Sequence, residues 1–193
     1  PLPHFTLLEK TDDLLALTEM AGDIVDAFAR VIVLGTGGSS LGAQVLAQIH
    51  GWGTPSGQLK GPQLIFADNL DATTLAQLLA PERLAQTGFL VVSKSGETAE
   101  TMIQLCCVLP ALEAARLEPS RHIFGISGTG DVVLRRLAHK YGLRLLDHEA
   151  DIGGRFAVLS NVGLLPALLA GCDIEAIRCG ARENVAALFK NGA

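Results

Sequence analysis

Short apolar runs alternate along most of this chain with longer stretches in which apolar residues recur at helical spacing. Strands that are apolar on both faces are typical of a parallel sheet covered by helices on each side. The order of the segments therefore predicts an α/β fold, a three-layer α/β/α sandwich of flavodoxin or Rossmann type around a five-stranded parallel sheet. The predicted strands are residues 31–34, 64–67, 89–92, 122–126 and 143–146.

The stretches between the runs predict the helices that cover this sheet. Beyond Gly154 the pattern is helical only. The predicted helices span residues 11–28, 40–49, 71–79, 98–115, 131–141, 158–170 and 174–189. In the first helix, six side chains are predicted to face inward: Leu14, Leu15, Leu17, Ile24, Val25 and Phe28.

Composition narrows the class of protein. The chain has 193 residues, of which 49% are hydrophobic and 18% charged, which suits one α/β domain whose buried core needs no disulfides. A formal net charge of −5 argues against nucleic-acid binding, which favours a basic face. It does not argue against a phosphorylated small molecule, because local N–H groups and one or two cations can outweigh a mildly acidic surface.

The sequence also predicts a cytoplasmic protein. No signal segment opens the chain and no run approaches the length of about 18 apolar residues that a membrane span requires, so neither export nor a membrane partner is indicated. The four cysteines form no CxxC pair, which predicts reduced thiols rather than a zinc site. Because the chain begins at Pro1 rather than at a methionine, we expect it to be a fragment of a longer protein.

Two loops rich in glycine and hydroxyl groups follow predicted strands. Residues 35–40 (Gly-Thr-Gly-Gly-Ser-Ser) follow the first strand, and residues 93–98 (Ser-Lys-Ser-Gly-Glu-Thr) follow the third. Loops of backbone N–H groups and hydroxyls that open a helix at the carboxyl edge of a parallel sheet are typical phosphate sites. Together with Arg155, which follows two further glycines, they predict a phosphorylated small molecule as ligand.

Each feature has other interpretations. The first loop, with Gly35 and Gly37 but Ser40 at the third glycine position, is a near-match to a dinucleotide fingerprint, in which Asp68 would hold a ribose. Its glycines would also suit a plain tight turn. In the second loop, helix capping would need only one hydroxyl. For Arg155 the alternative is a surface salt bridge.

Three segments resemble the glucose-6-phosphate isomerase (phosphoglucose isomerase) family. Residues 35–42 (Gly-Thr-Gly-Gly-Ser-Ser-Leu-Gly) resemble its first sugar loop, and residues 93–101 (Ser-Lys-Ser-Gly-Glu-Thr-Ala-Glu-Thr) resemble the phosphate loop of sugar isomerase (SIS) domains. Residues 153–164 (Gly-Gly-Arg-Phe-Ala-Val-Leu-Ser-Asn-Val-Gly-Leu) are similar to a family signature that few other families carry. The resemblance identifies an N-terminal SIS domain.

The resemblance implies an aldose–ketose isomerase that interconverts glucose 6-phosphate and fructose 6-phosphate through an enediolate, as a homodimer and without metal or organic cofactor. Arg155 would lie beside the C1–C2 end of the open-chain sugar, where a guanidinium would stabilise the charge that develops on oxygen as the C2 proton leaves. The sugar and its 6-phosphate would contact Gly38, Ser39, Ser93, the Lys94 backbone, Ser95 and Thr98.

The chain departs from the family in two respects. Gly96 and Glu97 bring the second loop closer to general SIS domains, including the isomerase domain of glucosamine-6-phosphate synthase. The family's general base is a glutamate in a second half, and no residue here matches it, so we expect the isolated chain to be inactive. The expected organisation is an N-terminal helical segment (1–30), an SIS sugar-phosphate-binding domain (31–152), and the GGRF loop with trailing helices leading to a missing second half (153–193).

Two other functions fit parts of this pattern. A single-domain SIS sensor or regulator of phosphosugars would lack a base by design, although it has no need of an arginine at C1–C2. A dinucleotide-binding domain would bind NAD rather than a phosphosugar.

Overall fold

A computed structural model of the chain describes residues 2–54 and 61–190; the outermost residues of the predicted segments 1–30 and 153–193 lie outside these ranges. The described strands form one parallel sheet in the order β2-β1-β3-β4-β5. All five predicted strands are confirmed, with two differences where they begin: His122 ends a short helix instead of beginning β4, and Leu143 precedes β5. The strands are β1 (Arg30–Leu34), β2 (Gln63–Ala67), β3 (Thr87–Ser93), β4 (Ile123–Ser127) and β5 (Arg144–Asp147).

The helices match the periodic pattern, with additions. Three short helices that periodicity did not predict begin at prolines, which fit the first helical turn because an N–H there would have no partner within the helix. The described α-helices are α1 (Pro3–Thr6), α2 (Asp12–Ala27), α3 (Leu41–Ile49), α4 (Ala72–Leu78), α5 (Pro81–Leu84), α6 (Ala99–Ala114), α7 (Pro119–His122), α8 (Val133–Tyr141), α9 (Asn161–Leu169) and α10 (Ile174–Lys190). Segments of 3₁₀ helix span Leu7–Glu9, Gly37–Ser39 and Gly154–Leu159.

One predicted helix begins late. The stretch predicted to be helical from residue 158 starts its α-helix at Asn161, because Gly154–Leu159 forms the tighter 3₁₀ turn and Ser160 caps the helix that follows. In the part of the chain that the structure covers, no helix combines the length and the apolar character needed to cross a membrane.

Helices cover both faces of the sheet, which confirms the three-layer α/β/α sandwich. On one face α2, α3 and α9 share a core with the sheet, and α9 packs against both other helices. On the opposite face, α4, α6 and α8 bury their apolar sides. The helix predicted in the N-terminal segment and the first trailing helix therefore contribute to the same core as the central strands.

Two of the six inward positions predicted for α2 are wrong. Leu15 is 65% exposed and Val25 is 41% exposed. Each directly follows a residue of the buried stripe, and one residue corresponds to a rotation of about 100° around a helix. The other four predicted positions are buried: Leu14, Leu17, Ile24 and Phe28.

We expect Leu17→Ala to lower the free energy of unfolding by about 2–5 kcal/mol, because Leu17 is fully buried and the shortened side chain leaves a cavity. Leu15→Ala is a matched control on the same helix and should change it by less than about 0.5 kcal/mol. Urea unfolding measures both values. Equal losses from the two variants would contradict the position of α2 on the sheet.

Candidate functional site

The first two loops follow β1 and β3, which are neighbours in the sheet. From β1 the chain moves to one side, to β2, and it then returns to build β3, β4 and β5 on the other side. Such a reversal leaves a crevice outside the carboxyl ends of the strands, where open α/β sheets bind ligands. Both glycine- and hydroxyl-rich loops therefore lie at the crevice, and each leads into a helix.

The GGRF loop meets the first loop backbone to backbone. A Cβ atom built on Gly38 would lie 2.4 Å from the carbonyl carbon of Gly154. In the reverse direction, a Cβ on Gly154 would lie 3.2 Å from the Cα of Gly38. Gly38 therefore has no room for a side chain unless the backbone moves, and Gly154 has room only for a tight contact, so these two glycines allow the loops to meet directly.

Further contacts fix the 3₁₀ helix that carries Arg155. A Cβ on Gly42 of α3 would lie 3.0 Å from the Cβ of Val158, so α3 packs closely against this 3₁₀ helix. At its other end, the buried guanidinium of Arg178 donates a hydrogen bond to the carbonyl of Leu159 at 3.1 Å.

Arg178 is itself held by the N-terminal segment. Its two terminal nitrogens donate to the carboxylate oxygens of Asp13 at 2.7 and 2.6 Å, and one of them also donates to the carbonyl of Lys10 at 3.0 Å. A bidentate pair of this kind sets both distance and orientation. Residues at opposite ends of the chain thus position the GGRF segment, a role that sequence reasoning missed.

In the second loop, three predicted phosphate ligands come together. Ser93 is the fully buried last residue of β3, and its hydroxyl is hydrogen-bonded to that of Thr98 at 2.8 Å. The hydroxyl of Ser95 lies 3.4 Å from the same Thr98 oxygen and is on the exposed side. Thr98 directly precedes α6, so the hydroxyls converge at the N-terminus of a sixteen-residue helix, where the helix dipole favours an anion.

The turn of this loop requires a glycine. Gly96 has φ +66°, a left-handed conformation that other residues rarely adopt. A Cβ there would also lie 2.3 Å from a methyl carbon of Val132. The glycine that distinguishes this loop from the family pattern is therefore required by the local backbone conformation and by the contact with Val132.

In the first loop, Ser39 and Ser40 have different environments. Ser40 is buried, and its hydroxyl accepts a hydrogen bond from Gln44 at 2.7 Å. The same Gln44 amide donates to the carboxylate of Asp68 at 3.0 Å. Asp68, which would hold a ribose in the dinucleotide interpretation, therefore forms a structural hydrogen bond to the helix that follows the first loop. Ser39 is half-buried, and its hydroxyl has no hydrogen-bond partner among the described residues, which leaves it available to a ligand.

The Lys94 side chain has a contact that the sequence did not predict. Its ammonium donates to the carbonyl of Ile152 at 2.8 Å, which joins the second loop to the residue before the GGRF loop. Sequence reasoning assigned a role only to the Lys94 backbone. The Gly38–Gly154 contact thus joins the first loop to the GGRF loop, and the Lys94–Ile152 hydrogen bond joins the second loop to the residue before the GGRF loop.

His148, which follows β5, is a second residue that sequence reasoning missed. Its side chain is buried, and its Nδ1 lies 2.9 Å from the carbonyl of Glu149. Because a carbonyl only accepts, Nδ1 carries the hydrogen in this contact. Burial lowers the pKa of His148, and the nearby Lys94 ammonium lowers it further, against an opposing effect of the bond to Glu149. The imidazole is therefore neutral at neutral pH.

Arg155 is exposed on the 3₁₀ helix. Within residues 2–54 and 61–190 its guanidinium forms no ion pair or hydrogen bond, so the described contacts do not provide the salt bridge considered as its alternative role. The site therefore offers hydroxyls and N–H groups at the second loop, a free hydroxyl at the first, and a planar cation at the third. Such a set suits an anionic, hydroxylated ligand.

Comparison with known proteins identifies relatives of this chain. A model of the phosphoglucose isomerase family matches residues 9–189. A glucose-6-phosphate isomerase from Rubrobacter xylanophilus is 37% identical, and the match covers 99% of this chain and 46% of that protein. The chain thus spans less than half the length of this relative.

Two solved structures have the same fold. A hypothetical protein from Thermus thermophilus matches with a TM-score of 0.79 and 31% identity, over 94% of this chain and 42% of that one. A glucose-6-phosphate isomerase from Chlamydia trachomatis matches with a TM-score of 0.74 and 23% identity, over 92% of this chain and 36% of that one.

The pKa of His148 gives a test of this arrangement. Between about pH 7.5 and pH 5.5 an unfolded chain, whose histidines have a pKa of about 6.5, takes up a proton before the buried His148 does. The free energy of unfolding should therefore decrease as the pH is lowered through this window. The loss should be smaller in His148→Asn, whose amide can still donate to the Glu149 carbonyl but does not titrate.

Urea unfolding of both proteins at the two pH values measures this difference. If wild type and His148→Asn lose the same free energy on acidification, His148 does not titrate abnormally in the folded protein.

Proposed function

This chain belongs to the phosphoglucose isomerase family, and from that premise we propose that it is the sugar-phosphate-binding domain of an enzyme that interconverts glucose 6-phosphate and fructose 6-phosphate through an enediolate. The observation that carries the proposal is the meeting of three loops at one crevice. The Gly38–Gly154 contact and the Lys94–Ile152 hydrogen bond hold the loops together.

The second loop is the proposed phosphate anchor. The hydroxyls of Ser93 and Ser95 both lie within hydrogen-bond distance of the Thr98 hydroxyl, at the start of α6. Ser95 is exposed and would donate directly, whereas the buried Ser93 would orient the Thr98 hydroxyl through their 2.8 Å hydrogen bond. The backbone N–H of Lys94 would add a further donor.

The sugar would lie between the first and third loops. Gly38 and Ser39 would contact its hydroxyl groups, and the Ser39 hydroxyl has no competing partner among the described residues. Arg155 would lie at C1–C2, where its guanidinium stabilises the oxygen anion of the enediolate more than the uncharged ground state. A phosphosugar sensor would leave this arginine without such a role.

The proton transfer between C2 and C1 would need a general base from the part of the protein outside this chain. The 193-residue chain alone would therefore be inactive. We further propose a homodimer, as the family resemblance implies. A cytoplasmic location is proposed because all four cysteines are free thiols, as expected in a reducing compartment.

The proposal predicts different kinetic effects for Arg155 and the second loop. In the full-length protein, Arg155→Lys should lower kcat by about 10- to 1,000-fold and leave KM within a few-fold, because lysine keeps the charge but loses the planar set of donors. A coupled assay on fructose 6-phosphate measures both constants.

The double variant Ser95→Ala with Thr98→Ala serves as the contrast. It removes hydroxyl donors to a charged group, each worth about 1.5–3 kcal/mol, and should weaken binding of 6-phosphogluconate at least about tenfold. An Arg155→Lys variant that raises KM and spares kcat would make Arg155 a phosphate ligand instead. A full-length wild type without isomerase activity would overturn the proposed function.

A further inference from the structure

A cavity of about 690 Å³ lies where the N-terminal segment meets α10. This volume is within the range of about 300–1,000 Å³ that is typical of small-molecule sites. The residues that line the cavity come from the ranges 8–18 and 173–182, so none of them belongs to the three loops of the candidate site. The cavity is therefore a candidate site for a ligand other than the phosphosugar.

Part of the lining is apolar. Leu8 and Leu14 are buried there, and Ala176 of α10 adds a small apolar side chain. Leu15, which is 65% exposed, also lines the cavity. A ligand with an apolar body would cover the exposed Leu15 side chain, and removing this apolar surface from water would favour binding.

The guanidinium of Arg178, which lines the cavity, has one unused donor. A guanidinium has five N–H donors, and four of those of Arg178 donate to Asp13, Lys10 and Leu159. The fifth, the Nε–H, is buried and has no hydrogen-bond partner among the described residues. A buried donor on a charged group is costly to leave without an acceptor. An oxygen atom of a ligand in the cavity would supply this acceptor.

A second arginine of α10 lines the same cavity. Arg182 lies four residues after Arg178, and residues at this spacing share one face of a helix. Arg182 is half-buried, and its guanidinium forms no ion pair within residues 2–54 and 61–190. Its contact with the sulfur of Cys179, at 3.7 Å, is weak. The planar donors of Arg182 are therefore open to a paired contact with a carboxylate.

The other charged residues of the lining limit the charge of the ligand. Lys10 adds little attraction, because its ammonium already donates to Glu149 at 2.8 Å. The carboxylate of Asp173 accepts a hydrogen bond from the N–H of Ala176 at 2.9 Å, and Glu175 is exposed. Because these two carboxylates would repel further negative charge, the lining favours a ligand with one anionic group over a polyanion.

We propose that this cavity binds a small organic molecule that has an apolar body and a single carboxylate. The carboxylate would accept hydrogen bonds from Arg182 and from the Nε–H of Arg178, while the apolar body would cover Leu15. Arg178 also donates to the carbonyl of Leu159, at the end of the 3₁₀ helix that carries Arg155. The ligand would therefore contact a residue that positions the candidate site without entering the crevice.

Calorimetry of the full-length protein with octanoate tests this proposal. Octanoate has one carboxylate on an apolar chain, and octylammonium, which has the same chain length and the opposite charge, is the matched control. We expect octanoate to bind, and octylammonium to bind at least about tenfold more weakly. Saturating 6-phosphogluconate should not weaken the binding of octanoate, because the cavity is separate from the crevice.

Three variants locate the bound octanoate. Arg182→Gln removes a guanidinium from the lining and should weaken binding at least about tenfold. Leu15→Glu adds a carboxylate at an exposed position of the lining and should also weaken it. Lys140→Gln, at an exposed position of α8, changes the net charge as Arg182→Gln does and should bind octanoate as wild type does. Melting temperatures show that each variant is folded.

Four results would each overturn the proposal. They are no octanoate binding by wild type, equal affinity for octanoate and octylammonium, competition between octanoate and 6-phosphogluconate, and an octanoate affinity in Arg182→Gln or Leu15→Glu that is no weaker than in Lys140→Gln. Isomerase activity of the wild type is measured in parallel. A protein that binds octanoate as expected but has no isomerase activity refutes the proposed function alone.

Discussion

The backbones of Gly38 and Gly154 lie so close that a Cβ on Gly38 would be 2.4 Å from the carbonyl carbon of Gly154, and the geometry of the site depends on this contact. The atoms in contact belong to the backbone, which cannot move aside by a change of rotamer as the end of a flexible side chain can. The contact therefore sets the distance between a loop that follows β1 and a segment more than one hundred residues later. Because Arg155 is the next residue after Gly154, its position relative to the first loop follows from the same contact.

Residues far from the crevice maintain this contact. The buried Arg178 pairs with the partly buried Asp13, which joins α10 to the N-terminal segment, and Arg178 also reaches the carbonyl of Leu159 at the end of the 3₁₀ helix. Removing Asp13 would leave the buried Arg178 guanidinium without its counter-charge, which destabilises the fold. The pair thus fixes the GGRF segment at Leu159, while Gly42 packs against Val158 and Lys94 donates to the carbonyl of Ile152. Asp13 in segment 1–30 and Arg178 in segment 153–193, both outside the predicted SIS domain (31–152), thus help to fix the 3₁₀ helix that carries Arg155.

Much of this architecture could be predicted from the sequence, because strands buried on both faces appear as continuous apolar runs. The helices that cover them appear as stretches in which apolar residues recur at helical spacing. The family motifs further imply which residues lie at the crevice. Side-chain exposure on a helix and contacts between distant residues could not be predicted in this way. Leu15 and Val25 are apolar but exposed, because the rotation of α2 about its own axis decides which of its apolar side chains face the sheet. The contacts of Lys94 and Arg178 join residues 58 and 165 positions apart, and no local pattern encodes such pairs.

The central claim, that the Gly38–Gly154 contact fixes the geometry of the proposed phosphosugar site, is tested most directly by the affinity of full-length Gly38→Ala for 6-phosphogluconate, measured by calorimetry. Gly22→Ala on α2 is the control, since a Cβ there would meet nothing within 4 Å. We expect Gly38→Ala to bind at least about tenfold more weakly, a loss of about 1.4 kcal/mol, and Gly22→Ala to bind as wild type does. If Gly38→Ala folds and binds with wild-type affinity, the contact does not assemble the site.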